Sequence, residues 1–163
     1  MKLPLSLTAA VVVMLTCRSA LAITDTVTIN VSGTLTRPPC TVTSSKTLSV
    51  NFGSLRYDQV SSAPVIPVPI TLSCPANSSL SVSVKASSAM AGSTTRAATD
   101  KANLAYTLTL NSDSSEVDIT GAKRTLTKQS GIVDLSMKAK LVATGALTEG
   151  DFSASTMISI EYL

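Results

Sequence analysis

There is no histidine and no tryptophan in this chain of 163 residues. Without histidine, the commonest general base and the middle member of a Ser–His–Asp triad are missing. Aromatic residues are scarce: Phe52, Tyr57, Tyr106, Phe152 and Tyr162 are all there are. Charged residues make up 14% of the chain and sum to +3, with no basic stripe. Nucleic-acid binding therefore has neither an electrostatic footprint nor stacking platforms. The acids fall mostly in turns or at outward-facing positions, and no pair is spaced as a carboxylate dyad. No phosphate-binding or dinucleotide-binding glycine pattern occurs. With no histidine, the two lone cysteines Cys40 and Cys74 make a poor zinc site. The expectation is a protein that is not an enzyme, with no cofactor, no metal and no small-molecule substrate. Asn77, Ser78 and Ser79 match a glycosylation sequon, and are read as a polar turn.

What is present begins with an export signal. Lys2 precedes an apolar run over residues 3–15, and Ala20, Leu21 and Ala22 form a small-x-small cleavage site. The run is short for a permanent membrane span. Residues 1–22 are expected to be removed, leaving residues 23–163. An uncleaved anchor is the alternative. Cys17 suggests a lipoprotein, but Met14, Leu15 and Thr16 ahead of it are a poor lipobox. Removing Lys2 and Arg18 lowers the charge from +3 to about +1.

Cys40 and Cys74 remain. In an exported chain an even pair reads as a disulfide, with free buried thiols as the alternative. The bridge would close a loop of about 35 residues, worth roughly 3–4 kcal/mol in the chain-entropy model.

The rest reads as short strands. Pro38 and Pro39 interrupt any continuous strand, and a new one starts over residues 41–43. Residues 46–52 alternate, with Leu48, Val50 and Phe52 inward. Pro67 and Pro69 place the first half of 65–72 at a sheet edge. Ile70, Leu72 and Cys74 share a face, as do Leu80, Val82 and Val84, and then Leu104, Tyr106, Leu108 and Leu110. Residues 89–101 read as a long surface loop. Residues 117–126 read as strand, loop and strand around Gly121. Residues 132–142 read as one strand with Val133, Leu135, Met137, Ala139 and Leu141 inward. Strands at roughly ten-residue spacing with few aromatics predict an all-β sandwich in one domain.

Two terminal stretches have the clearest period of two. In residues 25–35, Val27, Ile29, Val31, Gly33 and Leu35 fall on one face and polar residues on the other. In the last fourteen residues, Gly150, Phe152, Ala154, Thr156, Ile158, Ile160 and Tyr162 share a face, and Leu163 follows. Alternation alone also fits an ordinary first strand of the chain's own sandwich. Gly33 alone also fits a plain turn or bulge.

Taken together, these features resemble the pilin subunits of chaperone–usher fimbriae, in particular the minor tip-fibrillum subunits of type 1-like pili. The features are the signal, the alternating extension with Gly33 in phase, Cys40 soon after it, the segment from Val68 to Pro75 carrying Cys74, Gly150, and Tyr162 beside Leu163. The resemblance implies an incomplete immunoglobulin-like β-sandwich lacking its last strand and completed in trans by a donor strand. It implies residues 1–22 as signal, 23–37 as N-terminal extension and 38–163 as pilin domain. Val27, Ile29, Val31, Gly33 and Leu35 would be the donor strand. The alternating set from Gly150 to Tyr162, with Leu163, would wall the acceptor groove and bind the chaperone. The implied partners are a periplasmic pilus chaperone, an outer-membrane usher and neighbouring subunits, on a route through the periplasm to the cell surface. A self-contained secreted immunoglobulin-like binding domain, or an adhesin or lectin, is the competing expectation. About 141 mature residues leave no room for a separate lectin domain.

Overall fold

Two strands in this protein pass from one sheet to the other side by side, and that shared crossing shapes the fold. In the computed structural model, which describes residues 25–163, the order is β1 (Thr41–Val42), a 3-10 helix (Tyr57–Ser62), β2 (Ile66–Val68), β3 (Thr71–Ala86), β4 (Arg96–Ala98), β5 (Leu104–Leu110), β6 (Thr120–Asp134), β7 (Met137–Ala143) and β8 (Thr156–Tyr162). The signal reading, residues 1–22, lies outside the described residues.

One sheet runs β1-β3-β6, with β8 also on β3; the other runs β2-β7-β5-β4. All ladders are antiparallel. β2 pairs with β7 from Ile66↔Ala139 to Val68↔Met137 in the second sheet. The same two chains pair from Thr71↔Asp134 to Cys74↔Gly131 in the first. Between these stretches the Leu135 amide donates to the Ile70 carbonyl at 2.8 Å, so the register is unbroken across the corner. The Ile70 amide donates to Ser136 Oγ at 3.1 Å, and the Ser136 amide to Asp134 Oδ1 at 2.8 Å.

This crossing explains one departure from expectation. Residues 132–142 are two strands in two sheets, not one. Both sheets face the same core, so a chain that turns from one into the other keeps its inner face inside. Val133, Leu135, Met137, Ala139 and Leu141 are accordingly all buried. The core also takes Leu72, Cys74, Leu80, Val82 and Val84 of β3. A smaller cluster joins Val60, Leu104 and Leu141, with Leu55, Leu147, Phe52 and Phe152 packed on it.

Three further expectations are corrected. Residues 89–101 contain β4, whose Ala97 is fully buried; the small residues that read as loop are what a close-packed short strand requires. Gly121 lies inside β6, at a φ of +96, and does not break it. Residues 46–52 form no ladder, and Leu48 and Val50 stay partly exposed.

The chain divides into two units, Met1–Leu35 and Thr36–Leu163. In the first, residues 25–35 form no strand, and all are exposed.

Candidate functional site: the open edge of the last strand

A sheet edge presents unpaired backbone groups and invites another strand, and proteins blunt such edges with proline, charge, bulges or brevity. Three of the edges here are blunted. β2 carries Pro67, with Pro64 and Pro69 beside it. β4 is three residues long, and its far side is taken by an Ala89↔Ala97 bridge. β6 carries Lys123, Arg124 and Lys128, slips register against β3, and takes left-handed backbone at Lys128 (φ 57) and Gly131 (φ 70).

β8 lacks the proline, the bulges and the brevity of the other three. Its seven residues hold no proline, no glycine and no left-handed position. Its register on β3 is unbroken from Leu80↔Tyr162 to Ala86↔Thr156. Its one charge, Glu161, is tied to Lys123 at 2.7 Å on the outer face.

The direction of the backbone groups follows from the flanking bonds. The Leu163 amide donates to the Ser79 carbonyl and the Ser87 amide to the Ser155 carbonyl, both at 2.9 Å. In an antiparallel ladder the hydrogen-bonded positions alternate. Odd-numbered residues of β8 therefore pair with β3, while the N–H and C=O of Thr156, Ile158, Ile160 and Tyr162 point to the open side. Those same residues carry the apolar face. Thr156, Ile158 and Ile160 are half-buried, and Tyr162 is 42% exposed. Ile158 and Ile160 pack against the main core from one side only.

The expected positions ahead of β8 behave differently from one another. Phe152 is half-buried, with its ring 6.4 Å from that of Phe52. Ala154 is exposed. Gly150 is exposed at a φ of +123, where an added Cβ would also meet Lys101 Nζ at 2.8 Å. A cavity of about 450 Å³ opens here, lined by Leu55, Tyr57, Val60, Leu104, Leu147 and Phe152 among others. A larger one, about 560 Å³, lies between β6 and the β5–β6 connection, and no residue of β8 lines it.

Sequence reading missed the groups that hold this segment. Asp100 accepts from the Ser153 amide and Oγ, both at 2.7 Å. Those bonds hold the Asp100 carboxyl below its usual range. Lys101 Nζ donates to the Glu149 carbonyl, and the Tyr106 and Thr156 hydroxyls share a hydrogen bond. The partners lie 48 to 53 residues apart, so no local spacing signals them.

Cys40 and Cys74 are joined and buried. Val27, Ile29, Val31 and Leu35 are 80–103% exposed. Nothing lies within 4 Å of a Cβ placed on Gly33. Among the described residues no group of His, Cys, Asp and Glu could hold a metal ion, and no helix is long and apolar enough to cross a membrane.

An all-β sandwich of two facing sheets, with one strand left open beside an apolar face, is an incomplete immunoglobulin-like sandwich. A profile of the family described as fimbrial protein matches residues 29–163. The chain belongs to that family. It is similar to the crystal structure of the P pilus rod subunit PapA, at 21% identity and a TM-score of 0.64, over 77% of this chain and 100% of that one. It is similar to a chaperone–usher pilus structure concerned with rod uncoiling, at 18% identity and 0.62, over 85% and 96%. It also resembles the P pilus adaptor subunit PapF, at 22% identity and 0.56, over 77% and 97%. These likenesses show the fold. No curated protein matches in sequence.

Proposed function

We propose that this protein is a structural subunit of a chaperone–usher pilus, polymerising by donor-strand exchange and supporting adhesion. The observation that carries the reading is the unprotected edge of β8 beside a half-covered apolar face. Addition of a strand to an exposed edge is a general recognition mode, and chaperone–pilin complementation is one form of it.

In this reading residues 1–22 are the cleaved signal, 23–37 the extension and 38–163 the pilin domain. The subunit crosses the periplasm with a chaperone strand on β8, passes an outer-membrane usher and reaches the cell surface in a fimbrium. Val27, Ile29, Val31 and Leu35 fill the groove of a neighbouring subunit, and Gly33 fits where a side chain does not. The groove itself is the face of Gly150, Phe152, Ala154, Thr156, Ile158, Ile160 and Tyr162, with Leu163 at its end. Burying four apolar side chains gives roughly 6–12 kcal/mol before ordering costs and backbone pairing.

The test is thermal unfolding of the exported chain without residues 23–36, with and without a peptide matching residues 25–36. The domain alone is expected to melt low or aggregate. The peptide is expected to raise its melting temperature by roughly 20 °C or more and to leave slowly. A weak gain calls for the peptides of other subunits. If the domain is stable alone and no such peptide shifts it, a self-contained secreted immunoglobulin-like domain is the better description.

A further inference from the structure

Two strands flank the second half of β3 in one sheet, β8 on one side and β6 on the other. The edge of β6 also borders an apolar space. The cavity of about 560 Å³ beside it is lined by Val82, Val84, Leu110, Val117, Leu126 and Met137 among others. Backbone groups are open there too. Odd-numbered residues of β3 bond to β8, so the even-numbered ones bond to β6, as the Ala86 amide does to the Ile119 carbonyl at 2.9 Å. Arg124 and Leu126, opposite Val82 and Leu80, are therefore tied to β3. The N–H and C=O of Lys123 and Thr125 point to the open side. Register slips bound this regular stretch at both ends. It is short, yet β2 and β4 make ladders of three residues each in this same fold. Brevity alone does not close the β6 edge.

A single row across the sheet separates the two edges. Arg124, Val82 and Ile160 lie opposite one another on the inner face. Val82 is buried, and Ile160 packs on the core. β8 thus offers an isoleucine where β6 offers a guanidinium. Lys123 and Thr125 face outward, and Lys123 is tied to Glu161. Among the described residues Arg124 is in no ion pair. Opposite charge draws it over the mouth of the cavity. Glu116 and Asp118, on the β5–β6 connection, line the facing bank. Asp113 is on the same connection, and its carboxyl is held below the usual range by the Ser115 hydroxyl and amide first and by the Arg124 charge after them.

An antiparallel strand laid on this edge would set a residue against Arg124 in a non-hydrogen-bonded pair, with Cα atoms about 4.5 Å apart. Its inward side chains would enter the mouth between Arg124 and those carboxylates and close the guanidinium off from water. Burying a charge away from its partners is unfavourable. No such charge stands on the inner face of β8.

We propose that Arg124 confines strand addition to β8 by denying the β6 edge to an incoming apolar strand. This rests on the strand-addition reading above, and goes beyond it in naming the residue that selects between two edges of one sheet.

The experiment adds excess peptide matching residues 25–36 to the exported chain and to its Arg124→Val, Arg124→Gln and Arg124→Lys variants. Residue-resolved amide exchange reads the two edges separately. In the unaltered chain the amides of Ile158, Ile160 and Tyr162 are expected to be protected, whether the peptide or a second copy supplies the strand. Those of Lys123 and Thr125 are expected to stay fast. Arg124→Val is expected to slow Lys123 and Thr125 at least about tenfold on addition of peptide, with β8 unaffected. Arg124→Gln removes the charge and keeps a polar chain, and is expected to act in the same direction; it decides the matter if the valine chain aggregates. Arg124→Lys keeps the charge and is expected to behave as the unaltered chain. The proposal is overturned if the folded uncharged variants gain no protection on β6, or if the unaltered chain shows that protection already. Absence of protection at β8 in every chain defeats the strand-addition reading, and this proposal with it.

Discussion

Ile160 packs against the core from one side and faces the open edge with the other. An Ile160→Ala substitution therefore removes less from the domain alone than from the strand-completed form. The completed form is expected to lose about 1–3 kcal/mol more than the free domain, read from peptide dissociation rates and paired melts. Gly33 is the reciprocal position. A Gly33→Leu peptide is expected to bind the groove at least about tenfold more weakly, while Thr34→Ser, on the opposite face, leaves binding unchanged. Asp100 supplies a third residue-level test. Its carboxyl is held below the ordinary value by the Ser153 amide first and the Ser153 hydroxyl second. A depressed carboxylate contributes stability above its unfolded pKa and loses it as pH falls through the folded one. Asp58, Asp113, Asp118 and Asp134 are depressed by similar bonds to Arg56, Ser115, Thr120 and Ser136. Melting temperature is therefore expected to be level above about pH 5 and to fall below about pH 4. Asp100→Asn is expected to make that fall shallower.

At the scale of the element, β8 alternates in its backbone as well as its side chains. In the free domain the amides of Ile158, Ile160 and Tyr162 are expected to exchange quickly, and those of Met157, Ser159 and Glu161 slowly. An added strand is expected to protect the first set, in a residue-resolved exchange experiment. The side-chain half of this pattern was legible in the sequence, because a strand covered on one face writes a period of two. The backbone half was not, since which edge is open depends on the pairing of β3 with β6, some fifty residues away. The same limit explains β4: Ala97 is buried by its partners, not by its own pattern. It also explains residues 46–52. They alternate as a strand does, yet form no ladder, since a strand pattern states only what a segment could pair with. The disulfide and the inward faces of β3, β5 and β7 were readable because cysteine parity and alternation are written in the sequence, whereas the unbroken length of β3 from Thr71 to Ala86, and of β6 across Gly121, was not. The clasp of Asp100 and Lys101 on the segment before β8 joins residues too far apart to leave a local trace.

For the whole molecule, the loop closed by Cys40 and Cys74, 34 residues apart, is the main constraint on the unfolded chain. Removing it by Cys40→Ser and Cys74→Ser is expected to cost roughly 3–4 kcal/mol, seen as a lower denaturant midpoint at similar slope. The surface pair of Lys123 and Glu161, 60% and 53% exposed, is expected to matter little to stability.

β3 carries the disulfide at one end and β8 at the other. In a fibre under tension, pull would enter through the extension, pass the sulfur bridge at Cys74, travel a few residues of β3 and leave through β8. The second sheet would lie off this line. The strand axes lie along the pull, so the β3–β8 bonds would be sheared together and not peeled one at a time. With the bridge intact, the two-residue β1 ladder is spared. With it reduced, that ladder becomes the weakest link in series, and the rupture force of a tethered subunit should drop when a reductant is added.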